Sequence, residues 1–146
     1  MNRPAAEMTI ANLVHGLALA IDEADGDRIE ELTEHLTFTL GDHAPITGGA
    51  SFRRMIDRGM VLHDGSPCTQ HVITNLVVDA DDVRGTASSH CYVTVFQALD
   101  DFPLQAILSG RYHDDFVREG NVWRFDARRM QIVLRGDTSH YSTQEM

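Results

Sequence analysis

"TQHVITNLVVD", residues 69–79, is the stretch that decides the fold. Val72, Ile73, Leu76, Val77 and Val78 are residues that favour a pleated, half-buried surface, so this segment reads as a strand. Three further β-rich runs follow, at 83–97, 104–118 and 122–134, separated by "DADD", "ALDDFP" and "EGN". Each separator is a turn signal, and sequential strands joined by short turns form an antiparallel meander. The two middle runs are long, so the sheet must curve or carry bulges, with Gly85 and Gly110 as the expected bend points.

Upstream of residue 69 the pattern is helical. Ile10, Leu13, Val14, Leu17 and Ile21 recur at helical spacing, which predicts a first helix over residues 9–23 with Thr9 as N-cap. Val14, Ala18 and Asp22 lie four apart, so a carboxylate continues one row of the apolar face. In "EADGDRIEEL", Asp27 and Glu30 make a capping-box pattern for a short second helix. "TFTL", residues 37–40, alternates like a strand, and "ITGGASFRRMIDRG" reads as a loop and then a helix from Ser51 stopped by Gly59. Helices first and a curved sheet after them predict a single α+β domain over residues 1–146, with its core at about 9–135 and a polar tail ordered by a partner subunit. A bent sheet closed by helices leaves a cone-shaped cavity, the place to look for a site.

Composition narrows the function. The chain has 146 residues, 42% of them hydrophobic and 23% charged, as in a globular domain. Its net charge is −10 and no basic stripe interrupts it, so neither nucleic acid nor an anionic membrane surface is an expected partner. All 12 positive side chains are Arg; without Lys there is no Schiff-base chemistry. Cys68 and Cys91 lack metal-type spacing and read as reduced thiols. "MNRPAAEMTI" has no apolar run of a signal peptide, and "IANLVHGLALAID" is too short to span a bilayer. A cytoplasmic location is the expectation. No metal is expected: in His90–Cys91 and His113–Asp114, adjacent strand residues point opposite ways and form no chelate. No G-x-S-x-G elbow or Gly-rich phosphate loop is present.

His71 is the residue to explain, because an imidazole at the mouth of an apolar strand needs a partner. Tyr112, Asp114 and Phe116 alternate onto one strand face, and Asn75 shares the face of Ile73 and His71, as cavity lining or as the cap of a bulge.

The ordered set "AID" (20–22), a further Asp shortly after it, "TQHVITN" (69–75), "GRYHDDF" (110–116) and "NVWRFDARR" (121–129) resembles the SnoaL-like branch of the nuclear transport factor 2-like superfamily, over residues 9–135. Within it the chain is similar to scytalone dehydratase and hexachlorocyclohexane dehydrochlorinase, cofactor-free lyases that work inside the cone. The resemblance implies a cystatin-like roll, with Asp22 fixing the tautomer of His71 and His71 acting as general base. It implies Arg128 as the third polar group, with Tyr112, Asp114, Asn75, Phe96 and Phe116 about the substrate. Leu17 and Ile21 stand where the dehydrochlorinase has Lys and the dehydratase has Tyr, and Phe96 falls where the dehydratase has a second catalytic His. The expectation is a cofactor-independent lyase or isomerase acting on a small, mostly apolar carbonyl compound, in a homo-oligomer, trimer or dimer. The rival readings are a ligand-binding or assembly module like a dioxygenase β subunit, and hydrolase or cyclase chemistry in the same cavity. Cavity lining by loops 61–67 and 98–103 is expected to set the substrate.

Overall fold

The computed structural model describes residues 5–144. Three helices, α1 (Ala6–Asp22), α2 (Gly26–Leu32) and α3 (Gly49–Gly59), pack on a sheet built from β1 (Thr37–Leu40), β2 (Ile46–Thr47), β3 (Thr69–Asp81), β4 (Thr86–Leu99), β5 (Phe102–Glu119) and β6 (Val122–Arg135). The sheet order is β2-β1-β6-β5-β4-β3. From β3 to β6 it is the antiparallel meander expected from the turns, whereas β1 joins β6 in parallel and makes the sheet mixed. The α+β architecture is as expected, and β2, only two residues long, is an addition. No described helix is long and apolar enough to cross a membrane.

The core forms where the helical and strand periodicities meet. Ile10, Val14, Leu17 and Ile21 turn one face of α1 onto the sheet, and Val93, Val95, Ile107, Phe116 and Phe125 face them. Trp123 and Phe125 are core residues. Such burial, at about 25 cal/mol per Å² of apolar surface, supplies the main favourable contribution to folding.

Three local readings are corrected. Thr9 lies inside α1, which starts after Ala5; the Thr9 hydroxyl bonds back to the Ala5 carbonyl instead of capping. The α2 cap is Asp25, whose carboxylate accepts from the Arg28 backbone N–H, two residues ahead of the expected Asp27. Gly85 sits in the β3–β4 turn at φ 69° and bends no strand. Gly110, on β5, lies opposite a bulge in β6 where Val133 is the extra residue, and a Cβ there would lie 2.4 Å from the Gln131 carbonyl oxygen.

Residues 136–144 fold back against their own chain. The Tyr141 carbonyl accepts from the Val61 N–H and the Gly59 carbonyl from the Thr143 N–H. The His140 carbonyl accepts from the His63 ring and from the buried Gln97 amide. This strap supplies Tyr141, Ser142 and Gln144 to the wall of the cavity described below.

Candidate active site

A cavity of about 510 Å³ lies between the sheet and α3. Ile21, Phe52, Met55, Val95, Leu108 and Met130 make most of its wall apolar. His71, Tyr112, Arg128 and Tyr141 are among the lining side chains that carry hydrogen-bonding or charged groups.

Asp22 is the last residue of α1, and its carboxylate is held on β3 from three directions. Oδ2 accepts from the His71 backbone N–H at 2.8 Å, and Oδ1 accepts from the Thr69 hydroxyl at 2.9 Å and from His71 Nδ1 at 2.6 Å. The local fold explains the aim. α1 ends in a paired set of carbonyl contacts, Asp25 N–H to Ala20 and Ala24 N–H to Ile21, with Ala24 in the left-handed region at φ 52°. That reversal leaves Asp22 pointing at the start of β3 instead of along the helix. A carboxylate only accepts, so the neutral imidazole carries its proton on Nδ1 and presents Nε2 as a bare acceptor. The side chains are 6% and 16% exposed for His71 and Asp22, so little water competes for the pair.

Arg128 and Asp114 form a second pair deeper in the cone. Arg128 Nε and Nη2 donate to the two Asp114 oxygens at 2.7 and 2.8 Å. Burial pulls the Arg128 pKa down, but the charge and hydrogen bonds of Asp114 outweigh that and hold it above its ordinary value. The guanidinium carbon lies 3.7 Å from the centre of the Tyr112 ring and 5.2 Å from that of Phe125. Burial pushes the Tyr112 phenol up to about 12. It also pushes the nearby Cys91 thiol up to about 11, so Cys91 is a protonated core residue at neutral pH. The choice between Arg128 and Arg129 is settled by a bulge. Phe116 pairs with Phe125 but Asp115 with Ala127, leaving Asp126 unpaired, so both Phe125 and Arg128 face inward and Arg129 is exposed.

The remaining expected residues are not brought to the cavity. Asn75 is exposed, with φ 55°, in the β3 bulge between Thr74 and Val77, and its left-handed backbone forms that bulge. Phe96 lies on the opposite strand face from Val95, and it is Val95 that lines the cavity. Phe116 is buried beyond the cavity against Phe125 at 4.9 Å between ring centres. Asp114 sits behind Arg128 and does not line the wall. Loops 61–67 and 98–103 contribute nothing to the lining; His43, Ala44 and the strap residues Tyr141, Ser142 and Gln144 do.

Tyr141 is a polar lining residue that the sequence pattern misses. Its hydroxyl lies 3.4 Å from His71 Nε2, the nitrogen that Asp22 leaves free. Burial, reinforced by Tyr112 and Asp22, holds the phenol well above its ordinary pKa, so it is a donor at any physiological pH. It stands in a short polar tail with no periodicity, and only a Tyr among Ser and Thr marked it. Among the described residues no group of three or more His, Cys, Asp or Glu could hold a metal ion.

Comparison with solved structures places this geometry in a known fold. The hexachlorocyclohexane dehydrochlorinase LinA-type3 of Novosphingobium barchaimii matches with TM-score 0.70 and 15% identity, over 89% of this chain and 88% of that one. A protein of Novosphingobium aromaticivorans assigned as a scytalone dehydratase matches with TM-score 0.68 and 17% identity, over 87% and 83%. One from the same organism assigned as an aromatic ring hydroxylase matches with TM-score 0.71 and 24% identity, over 92% and 94%. At these identities the likeness establishes the cystatin-like fold. No curated protein matches the sequence. The model of the SnoaL-like domain matches residues 3–129, most of the chain, and the chain therefore belongs to the SnoaL-like domain family.

Proposed function

We propose that the protein is a cofactor-independent lyase or isomerase that removes a proton from a small, mostly apolar carbonyl compound. The observation that carries this reading is the 2.6 Å contact between Asp22 and His71 Nδ1, with Nε2 facing an apolar cavity. Asp22 fixes the tautomer and stabilises the imidazolium that forms when Nε2 accepts a proton. The apolar wall orients the substrate and keeps water from the base, and orientation supplies much of the rate in such sites. Arg128 has its charge matched by Asp114, so its part is to hold the Tyr112 ring and keep the inner wall polar without attracting a free anion. The similarity to a dehydrochlorinase and to a protein assigned as a scytalone dehydratase supports elimination over hydrolysis.

Screening enolisable and β-hydroxy carbonyl compounds tests the proposal. The expected result is turnover that falls by about a hundredfold or more in His71→Ala; unchanged turnover in that variant sinks it. The outer sheet face, with Tyr92 under Arg111, is proposed to take a second copy of the chain. Sedimentation giving a monomer at micromolar concentration would rule that out. An assembly module is the second reading, favoured by the likeness to the protein assigned as an aromatic ring hydroxylase. It predicts a folded His71→Ala variant with no lost activity and a stable complex with a larger subunit.

A further inference from the structure

We propose that Tyr141 is a catalytic residue, the donor that holds the substrate oxygen beside the carbon deprotonated by His71. This rests on the reading of His71 as the base. Any enolate formed in the cavity needs a donor for its oxygen, and the most obvious cation already has its charge matched by Asp114. Arg128 directs Nε and Nη2 at Asp114, and its flat face is covered by Tyr112. Tyr141 is placed differently. Its hydroxyl is on the open side of His71, at the nitrogen that would accept the proton. Because Nδ1 donates to Asp22, Nε2 accepts, and the phenol is the donor across this contact.

The distance carries chemical information. At 3.4 Å the contact is long for an O–H to N hydrogen bond, so the phenol is not locked to the imidazole and can turn to a better acceptor. A base and a donor this close serve two neighbouring groups of one small molecule: a C–H, and the oxygen of the adjacent carbonyl. That arrangement selects α-protons of ketones, aldehydes or esters over more distant C–H bonds. The burial that raises its pKa keeps the phenol protonated, and a preorganised donor in a water-poor site is worth far more than one in solvent.

The step balances without any other reactant. The Cα–H bond breaks and its proton goes to His71 Nε2. Its electron pair forms the new C=C bond, while the carbonyl π pair moves to oxygen, where the Tyr141 O–H stabilises it by hydrogen bonding without transferring the proton. In a dehydration the enolate then re-forms the carbonyl, the β C–O bond breaks, and the departing hydroxide takes the proton from the imidazolium as water. In an isomerisation the imidazolium returns the proton to carbon.

The strap that carries Tyr141 is pinned by groups other than the phenol. The His140 carbonyl accepts from His63 Nε2 at 2.8 Å and from Gln97 Nε2 at 3.1 Å, and the His140 ring lies on Phe102 at 4.5 Å between centres. The Tyr141 carbonyl accepts from Val61 N–H at 2.8 Å, and Thr143 N–H reaches the Gly59 carbonyl at 2.9 Å. Tyr141→Phe therefore removes the hydroxyl and leaves the strap in place.

The test is protein-catalysed exchange of α-protons for deuterium in β-tetralone and acetophenone, followed by proton NMR for the wild type, His71→Ala and Tyr141→Phe. Nitrogen-15 spectra of His71 in the wild type and Tyr141→Phe accompany it. The expected result is exchange in the wild type, none above background in His71→Ala, and a loss of about a hundredfold in kcat with little change in KM for Tyr141→Phe. The Nε2 resonance should shift towards that of an unbonded nitrogen while Nδ1 stays protonated. Exchange at the wild-type rate in Tyr141→Phe, with His71→Ala inactive, overturns the role of Tyr141 and leaves the base intact. No exchange in the wild type, or equal exchange in His71→Ala, overturns the proton-abstraction reading and the role of Tyr141 with it. An unmoved Nε2 resonance also overturns the proposal, because the phenol would then not reach the base.

Discussion

Asp114 and Arg128 have side chains 0% and 3% exposed, which makes them the most deeply buried charges in the cone. Neither is tolerable alone, since a buried unpaired ion costs several kcal/mol even after local relaxation. Asp114→Ala is expected to lower stability by about 3–5 kcal/mol in urea unfolding, because it strands the guanidinium. Replacing both partners with apolar residues of similar size should recover much of that loss; a double variant as unstable as the single one would show that the pair does more than neutralise itself. At this scale the sequence was legible wherever alternation ran unbroken. Tyr112, Asp114 and Phe116 do share one buried face. Arg128 could not be told from Arg129 because the bulge at Asp126 interrupts the period, and a two-residue rule fails across an inserted residue. Phe96 was assigned to the cavity by resemblance, against the alternation that places Val95 there.

The end of α1 is the element that aims the candidate dyad, and it does so through an unusual residue. Ala24 takes the left-handed conformation that Gly fills in most helix stops, at a cost of about 1–2 kcal/mol for an L-residue. Ala24→Gly should relieve this strain but loosen the unfolded chain, for a net gain of about 0.5–1 kcal/mol. A higher urea midpoint with unchanged slope would show it, and a lower one would mean that the Ala24 methyl group makes compensating contacts. Helices and the four long strands were legible because both periods are local properties of the chain. The parallel pairing of β1 with β6 was not, because it joins Thr37 to Ala127 across most of the domain. The strap was missed for a related reason: its order comes from hydrogen bonds to distant residues, not from any pattern of its own.

For the whole molecule, the groups with displaced pKa values define an alkaline limit. Unfolded Cys91 loses its proton near 9.0 and unfolded Tyr112 near 10.0, whereas the fold holds both protons to about 11 and about 12. Between those values the unfolded chain binds fewer protons than the folded one, so stability falls as pH rises. The contribution is complete below about pH 9 and is lost progressively up to about pH 12. Thermal midpoints measured across this range should be level at first and then drop, and Tyr112→Phe should flatten the upper part of the decline. A midpoint independent of pH up to 12 would mean that these phenol and thiol groups are open to solvent.

The unpaired Asp126 divides β6 into two stretches with separate frames. Before it, Trp123 and Phe125 are buried in the core; after it, Arg128 and Met130 face the ligand space. Selection for a new substrate can therefore act on the second stretch while the first keeps the domain folded. Libraries aimed at altered specificity should vary Met130 and the residues facing it across the cavity, and leave the strand unchanged up to the bulge.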